Sequence, residues 1–158
     1  MDITYISTSS SNCCLVAIIY WASRLMPSCR LSDAMDTTFR LDALHEAIDR
    51  YWTPEIFNSD QGSQFTSQEF TSSFVSNGIK IRMDGIGRWV DNVINERAWK
   101  SVKYEVVYLK AYESIKEARA DLKAYFDFYN YERYHQVLDC STHYEVDSRT
   151  IPKQRTAA

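Results

Sequence analysis

The chain has 158 residues, 45% of them apolar and 25% charged, with a formal net charge of −3. This is the balance of a soluble globular domain with one sizeable core, and it excludes disordered, fibrous and collagen-like classes. The longest apolar run, residues 13–22, is ten residues where a membrane-spanning helix needs ~20, and no basic segment precedes it as in a secretory signal; a cytoplasmic single domain is expected.

Charge is unevenly spread. Residues 1–84 hold 6 Lys/Arg against 10 Asp/Glu, and residues 85–158 hold 12 against 11. The net charge gives no global attraction to a polyanion, so any such site is local and belongs to the second half. The four cysteines, Cys13, Cys14, Cys29 and Cys140, show no CxxC spacing and no nearby histidine pair. They support neither a zinc site nor a disulfide framework. Cys13 and Cys14 read as small buried hydrophobes.

Two β-rich stretches, residues 3–5 and 13–20, are separated by a Ser-rich turn and predict paired strands. Residues 25–31 predict a third, with Pro27 placing it at an edge or bulge. Phe39, Leu41, Ala43, Leu44, Ala47, Ile48 and Tyr51 then recur at helical spacing, with Asp36 as the cap. Pro54 stops that helix, and residues 55–58 predict a short buried strand. Thr66 and Glu69 form a capping box that starts a second helix, with Phe65 stapled onto Phe70. Gly78 ends it before a strand at residues 79–83. A long helix over about residues 91–109 and another over 114–129 follow. The aromatics Trp89, Trp99, Tyr125, Phe126 and Phe128 read as packing residues, and the chain from Tyr131 is less periodic. The order β-β-β-α-β-α-β-α-α implies a mixed α/β sheet covered by helices.

Three carboxylates stand at informative places in that order. Asp2 opens the first strand, Asp60 follows the short 55–58 strand, and Glu96 lies early in the long helix. Ligands gather at the carboxyl ends of strands in open α/β sheets, which suits Asp60, and Gly62 permits a tight turn beyond it. Phosphodiester cleavage needs an activated hydroxyl and a stabilised leaving oxygen. Two divalent ions about 3.5–4 Å apart supply both, and hard ions such as Mg²⁺ require only a few carboxylate ligands. Glu96 and Lys103 share a helix face ~10 Å apart. Lys100 lies near that face and Asn92 one turn earlier, a row suited to DNA phosphates. Each feature also has an ordinary use. A strand-end carboxylate is commonly a turn residue, Glu96–Lys100 a surface ion pair, and His135 a surface histidine. Asp84 and Asp91 are near enough in sequence to compete with Glu96.

Taken together, these residues resemble the integrase-type catalytic core of bacterial insertion-sequence transposases, relatives of retroviral integrase. That family's Asp–Asp–Glu triad leaves 35 residues between its second Asp and its Glu, and residues 61–95, between Asp60 and Glu96, number 35. Met1-Asp2-Ile3-Thr4-Tyr5-Ile6 is similar to the first-strand motif, and Asn58-Ser59-Asp60-Gln61-Gly62-Ser63-Gln64-Phe65 to the second. Asp91-Asn92 with Asn95-Glu96-Arg97 is similar to the third, and Lys103 stands at the basic position seven after the Glu. Tyr129-Asn130, His135 and Leu138-Asp139 resemble the closing segment. Tyr20 departs from the pattern, standing where an Asp is usual.

The resemblance covers about residues 2–145, read as the catalytic core, with 146–158 as a basic tail. It implies a ribonuclease-H-like α/β fold, a five-stranded mixed sheet flanked by helices. It also implies a polynucleotidyl transferase that cleaves and joins transposon DNA ends with two Mg²⁺ or Mn²⁺ ions. Asp2, Asp60 and Glu96 would be catalytic metal ligands, with Lys103, Lys100 and Asn92 at the DNA. DNA and further copies of the chain are the partners implied, and no membrane. A second reading stays open: the chain starts one residue before Asp2 and lacks the family's helix-turn-helix region, as a truncated, silent remnant that binds DNA or transposase subunits would. An ordinary metabolic enzyme is disfavoured, since there is no Gly-rich phosphate loop and no nucleophile elbow.

Overall fold

The computed structural model describes residues 1–9, 11–34, 36–51, 53–59, 68–83 and 89–150. Three strands, β1 (Asp2–Ser7), β2 (Asn12–Ile18) and β3 (Ser28–Ser32), form an antiparallel ladder in the order β1-β2-β3. Its register sets Asp2 opposite Ala17 and Leu15 opposite Leu31. Strands β4 (Ile56–Ser59) and β5 (Lys80–Met83) form a parallel pair. Among the described residues, the five strands are thus two ladders rather than the single mixed sheet expected. The Met1 amino group, which donates to the Asn58 carbonyl at 3.2 Å, connects the β1 edge to β4.

Strand β2 organises the interior. Six of its seven residues are buried, as befits a central strand covered on both faces. Because side chains alternate along a strand, Cys13, Leu15 and Ala17 enter one core and Val16 and Ile18 the other. On the first face pack α3 (Trp89–Glu105) and α4 (Ile115–Tyr131), through Ala98, Trp99, Val102, Leu122, Tyr125 and Phe126. On the second face pack α1 (Thr37–Arg50) and α2 (Gln68–Ser76), through Ala43, Leu44, Ala47, Phe70 and Phe74, with Phe57 of β4 between them. Phe57, Phe70 and Phe74 form a ring cluster with centroids 4.4–6.4 Å apart.

Local signals account for most element ends. The Asp36 side chain accepts from Phe39 N–H and caps α1, and Ser114 accepts from Glu117 N–H and caps α4. Gly78, at φ +69°, takes the left-handed turn after α2, a conformation glycine adopts without strain. The capping box expected at Thr66 and Glu69 lies outside the described side chains. All four cysteines are free, with Cys13 and Cys14 buried.

Some expectations fail. Helix α3 stops at Glu105, and residues Val107–Leu109 form a tighter 3-10 turn. Leu109, expected inside the long helix, is 72% exposed beyond its end. Phe128, expected to pack, is 43% exposed. The less periodic stretch after Tyr131 contains a helix that was not expected, α5 (His143–Thr150). A capping box builds its start: Glu145 Oε2 accepts from Thr142 N–H at 2.9 Å, and Thr142 Oγ1 from Glu145 N–H at 3.2 Å. Buried Asp147 fastens α5 to the sheet's end by accepting from Ser23 Oγ at 2.8 Å. No described helix is long and apolar enough to cross a membrane.

Candidate active site

Asp2 opens β1 and is half-buried. Its Oδ1 accepts from the adjacent Ile3 N–H at 2.8 Å, and its Oδ2 accepts from Trp99 Nε1 at 2.8 Å. Trp99 is 7% exposed and sits in the core between the sheet and α3. A buried indole N–H needs an acceptor, and a carboxylate makes that bond short and strong. The bond spans 97 positions of sequence and fixes the first-strand carboxylate against α3.

Glu96 precedes Trp99 by three residues on that helix and is exposed, about one turn away on a neighbouring face. Lys100 is exposed and Lys103 half-buried. The i, i+4 ion pairs recorded lie elsewhere, at Glu46–Arg50 and Lys123–Asp127. Asn92 and Asp91 belong to α3, but their side chains lie outside the description, as do Asp60 and Asp84 altogether. Of the six expected site residues, Asp2 is thus tied through Trp99 to the helix that bears Glu96. Lys100 and Lys103 continue along the same helix.

Trp99 was read from the sequence only as a packing residue. Its position three residues after Glu96 was the available signal, but the carboxylate partner on β1 is visible only in three dimensions.

Strand β4 leads directly into Asp60, and its residue Asn58 carries the carbonyl that accepts from Met1. The Asn58 side-chain Oδ1 is buried with no hydrogen-bond partner among the described residues. A buried acceptor left unpaired is costly, and a hard cation or its water would satisfy it. The Asp2 carboxylate and the Asn58 amide oxygen are each oxygen donors of the kind Mg²⁺ and Mn²⁺ take. The residues present therefore fit a divalent ion. Among the described residues no three His, Cys, Asp or Glu side chains gather in metal-binding proximity. Two cavities, of about 610 and 580 Å³, are lined by neither Asp2 nor Glu96, although Met1 and Asn58 line the second. The larger sits between β3, α1 and α4, and the other by Tyr20 and Asn58.

Two family models, each described as an integrase core domain, match residues 1–88 and 77–142. The chain belongs to the integrase core domain family. Relatives of this integrase core include the transposase for insertion sequence element IS629 of Shigella sonnei, 29% identical over 84% of this chain and 45% of its own length. The transposase for IS904 of Lactococcus lactis is 29% identical over 87% of this chain and 56% of its own. The putative transposase for IS986/IS6110 of Mycobacterium tuberculosis is 27% identical over 99% and 60%. The integrase core thus spans about half the length of the curated relatives it matches.

Solved structures share its fold. A chain of the simian T-cell lymphotropic virus intasome in complex with PP2A regulatory subunit B56 gamma superposes with a TM-score of 0.79 and 18% identity, over 97% of this chain and 54% of that one. The HTLV-2 integrase catalytic core domain, in complex with magnesium, gives 0.66 and 18% over 92% and 91%. The ribonuclease-H-like α/β fold expected from the sequence is the one observed.

Proposed function

We propose that this integrase core is the catalytic part of a DNA transposase, cutting phosphodiester bonds at transposon ends and joining the freed ends to target DNA. Asp2, Asp60 and Glu96 hold the divalent ions, Mg²⁺ or Mn²⁺, and Lys103, Lys100 and Asn92 face the DNA. The observation that carries this reading is the Trp99–Asp2 bond. It ties the first-strand carboxylate to the helix bearing Glu96, and β4, whose Asn58 carbonyl accepts from the Met1 amino group, ends one residue before Asp60 in the sequence.

In the first step a water oxygen bonds to phosphorus as the bond to the 3′ oxygen breaks. The water's oxygen stays on phosphorus as part of a 5′-phosphate, and the displaced 3′ oxygen takes up a proton, so the transposon end keeps a 3′-hydroxyl. In the second step that hydroxyl loses its proton and attacks a target phosphodiester, displacing the target's own 3′ oxygen. The first step, a hydrolysis, consumes one phosphodiester bond, and the second breaks one and makes one. Bound divalent ions supply an activated attacking oxygen and stabilise the leaving one. The chain's own share is orientation: Trp99 holds Asp2 in one rotamer, and the Ile3 N–H holds its other oxygen. Misplacement of such a ligand by ~1 Å costs about a hundredfold in rate.

The relatives are transposases, and one of the similar integrase cores contains magnesium and is described as dimeric. Self-association on paired DNA ends is accordingly part of the proposal. The test is a Mn²⁺ titration followed by cleavage of a DNA substrate, for the wild type and Asp60→Asn. Saturable binding and cleavage that the substitution abolishes are expected. Equal behaviour of the two proteins, with no cleavage above background, would instead identify a silent remnant that retains the fold.

A further inference from the structure

Past Glu96, helix α3 keeps a face in solvent. Arg97, Lys100 and Tyr104 follow one another at three- and four-residue spacing and are all exposed, with Lys103 half-buried at the border. At 3.6 residues per turn these four cover an arc of about 120°. Among the described residues, Arg97, Lys100 and Lys103 enter no ion pair. Glu105, the next carboxylate after Lys103 along the chain, is taken by Arg133 and by the Tyr125 hydroxyl.

The end of the helix adds the aromatic part. Tyr108, in the 3-10 turn Val107–Leu109, lies beside Tyr104, with ring centroids 5.2 Å apart and planes at 83°. The two residues are 63% and 62% exposed. Single exposed apolar residues are unremarkable. An ordered aromatic pair beside unpaired cations is a different surface, because an edge-to-face pair keeps open ring faces on both members. Cations follow a phosphate backbone, and open ring faces accept bases of any sequence.

We propose that Tyr104 and Tyr108 form a base-stacking platform for single-stranded DNA, with Arg97, Lys100 and Lys103 holding its phosphates. Tyr104 lies eight residues beyond Glu96, ~12 Å along the axis at about 1.5 Å per residue. That is about three to four nucleotides of stacked strand at ~3.4 Å each. The platform thus rests on the transposase reading and deepens it: it holds the unpaired strand a few nucleotides from the phosphate being cut. Duplex DNA offers no open base face there and would engage the cations alone.

The test uses the 158-residue chain with a single-stranded oligonucleotide carrying 2-aminopurine, and with the duplex of the same sequence. The wild type should quench the fluorescence of the single strand. Tyr104→Ala and Tyr108→Ala should each weaken single-strand binding about fivefold or more and relieve the quenching, while duplex affinity moves less than about twofold. Tyr104→Phe keeps the ring face and should bind like the wild type. Equal losses on both probes, no loss, or no single-strand binding by the wild type would overturn the platform. A change in oligomeric state of Tyr104→Ala by light scattering would overturn it too, assigning the pair to contact between copies. Asp60→Asn separates the two readings. It should bind and quench normally, and persistence of cleavage in it would sink the metal-site assignment while leaving the platform standing.

Discussion

At the scale of the residue, two side chains are held by bonds that a change of one atom would expose. Trp99→Phe keeps most of the buried ring and deletes the donor to Asp2. Groups that orient a metal ligand are typically worth about 10–100-fold in affinity or activity. Trp99→Phe should therefore bind Mn²⁺ about 10–100-fold more weakly than the wild type while its thermal transition stays cooperative. Unchanged metal affinity would mean that Asp2 does not depend on the indole.

His143 is the other case. It is 2% exposed and stacked on Tyr129 at a centroid distance of 4.4 Å, with His135 at 3.8 Å. Its Nδ1 is 2.7 Å from the Ser23 carbonyl, which makes Nδ1 the protonated nitrogen, and Nε2 is buried without a partner. Burial pushes the imidazole down to about 4 from its ordinary 6.5, and the Ser23 bond opposes this only in part. Burial and the Arg133 charge also lower His135. The folded state holds His143 neutral, so the unfolded chain binds the proton more readily. Stability from this ring is complete above pH 6.5 and is lost as pH falls towards 4. The loss between pH 7.5 and 5 should be about 2 kcal/mol by urea denaturation. His143→Asn, whose amide can still donate to Ser23, should show a shallower fall; an identical pH slope in the two proteins would refute this account.

At the scale of the element, α5 shows how a short helix is made by its first turn and by one tertiary anchor. Eight residues with a weakly amphipathic pattern do not form a stable helix alone. The Thr142–Glu145 box satisfies early donors, and Asp147 with Ser23 and His143 with Ser23 pin the helix to the chain just after β2. Removing an N-cap costs typically ~1 kcal/mol, so Thr142→Ala should lose about that amount. Amide exchange should accelerate in α5 while the protection of β2 stays unchanged. Faster exchange across the whole sheet would show that α5 is not a separately opening unit. The end of α3 makes the complementary point. Its heptad-like spacing extends to Leu109, yet consecutive Val106 and Val107, where branched side chains crowd the preceding turn, coincide with the change to 3-10 geometry. Leu109 is exposed beyond it, and Tyr108 lies beside Tyr104.

At the scale of the whole molecule, β2 divides the interior into two cores that share a strand but few side chains. Ile6 belongs to the core under α3 and α4, and Ile79 to the core under α1 and α2. Ile→Val typically costs about 0.5–1.5 kcal/mol, and distant sites add within ~0.5 kcal/mol. Ile6→Val and Ile79→Val should each fall in that range, and the double variant should equal their sum by urea denaturation. A clear excess would show the two cores coupled through β2.

The same scale separates what was legible in the chain from what was not. Local periods and caps placed β2, α1 from its Asp36 cap, the Gly78 turn and α4 from Ser114, because backbone period, cap chemistry and left-handed glycine are decided within a few residues. Motif words and their spacing were enough to indicate the integrase core domain. Tertiary structure alone decided the rest: the indole of Trp99 on the Asp2 carboxylate, the Met1–Asn58 link between the ladders, the fastening of α5 and the solvent-facing tyrosine pair. Each depends on partners brought together by packing, or on which side of a helix the neighbouring layers cover. A residue's own period does not contain that information. Trp99 has the same apolar spacing whether its N–H meets a carboxylate 97 positions away or water, and only the closed fold chooses between them.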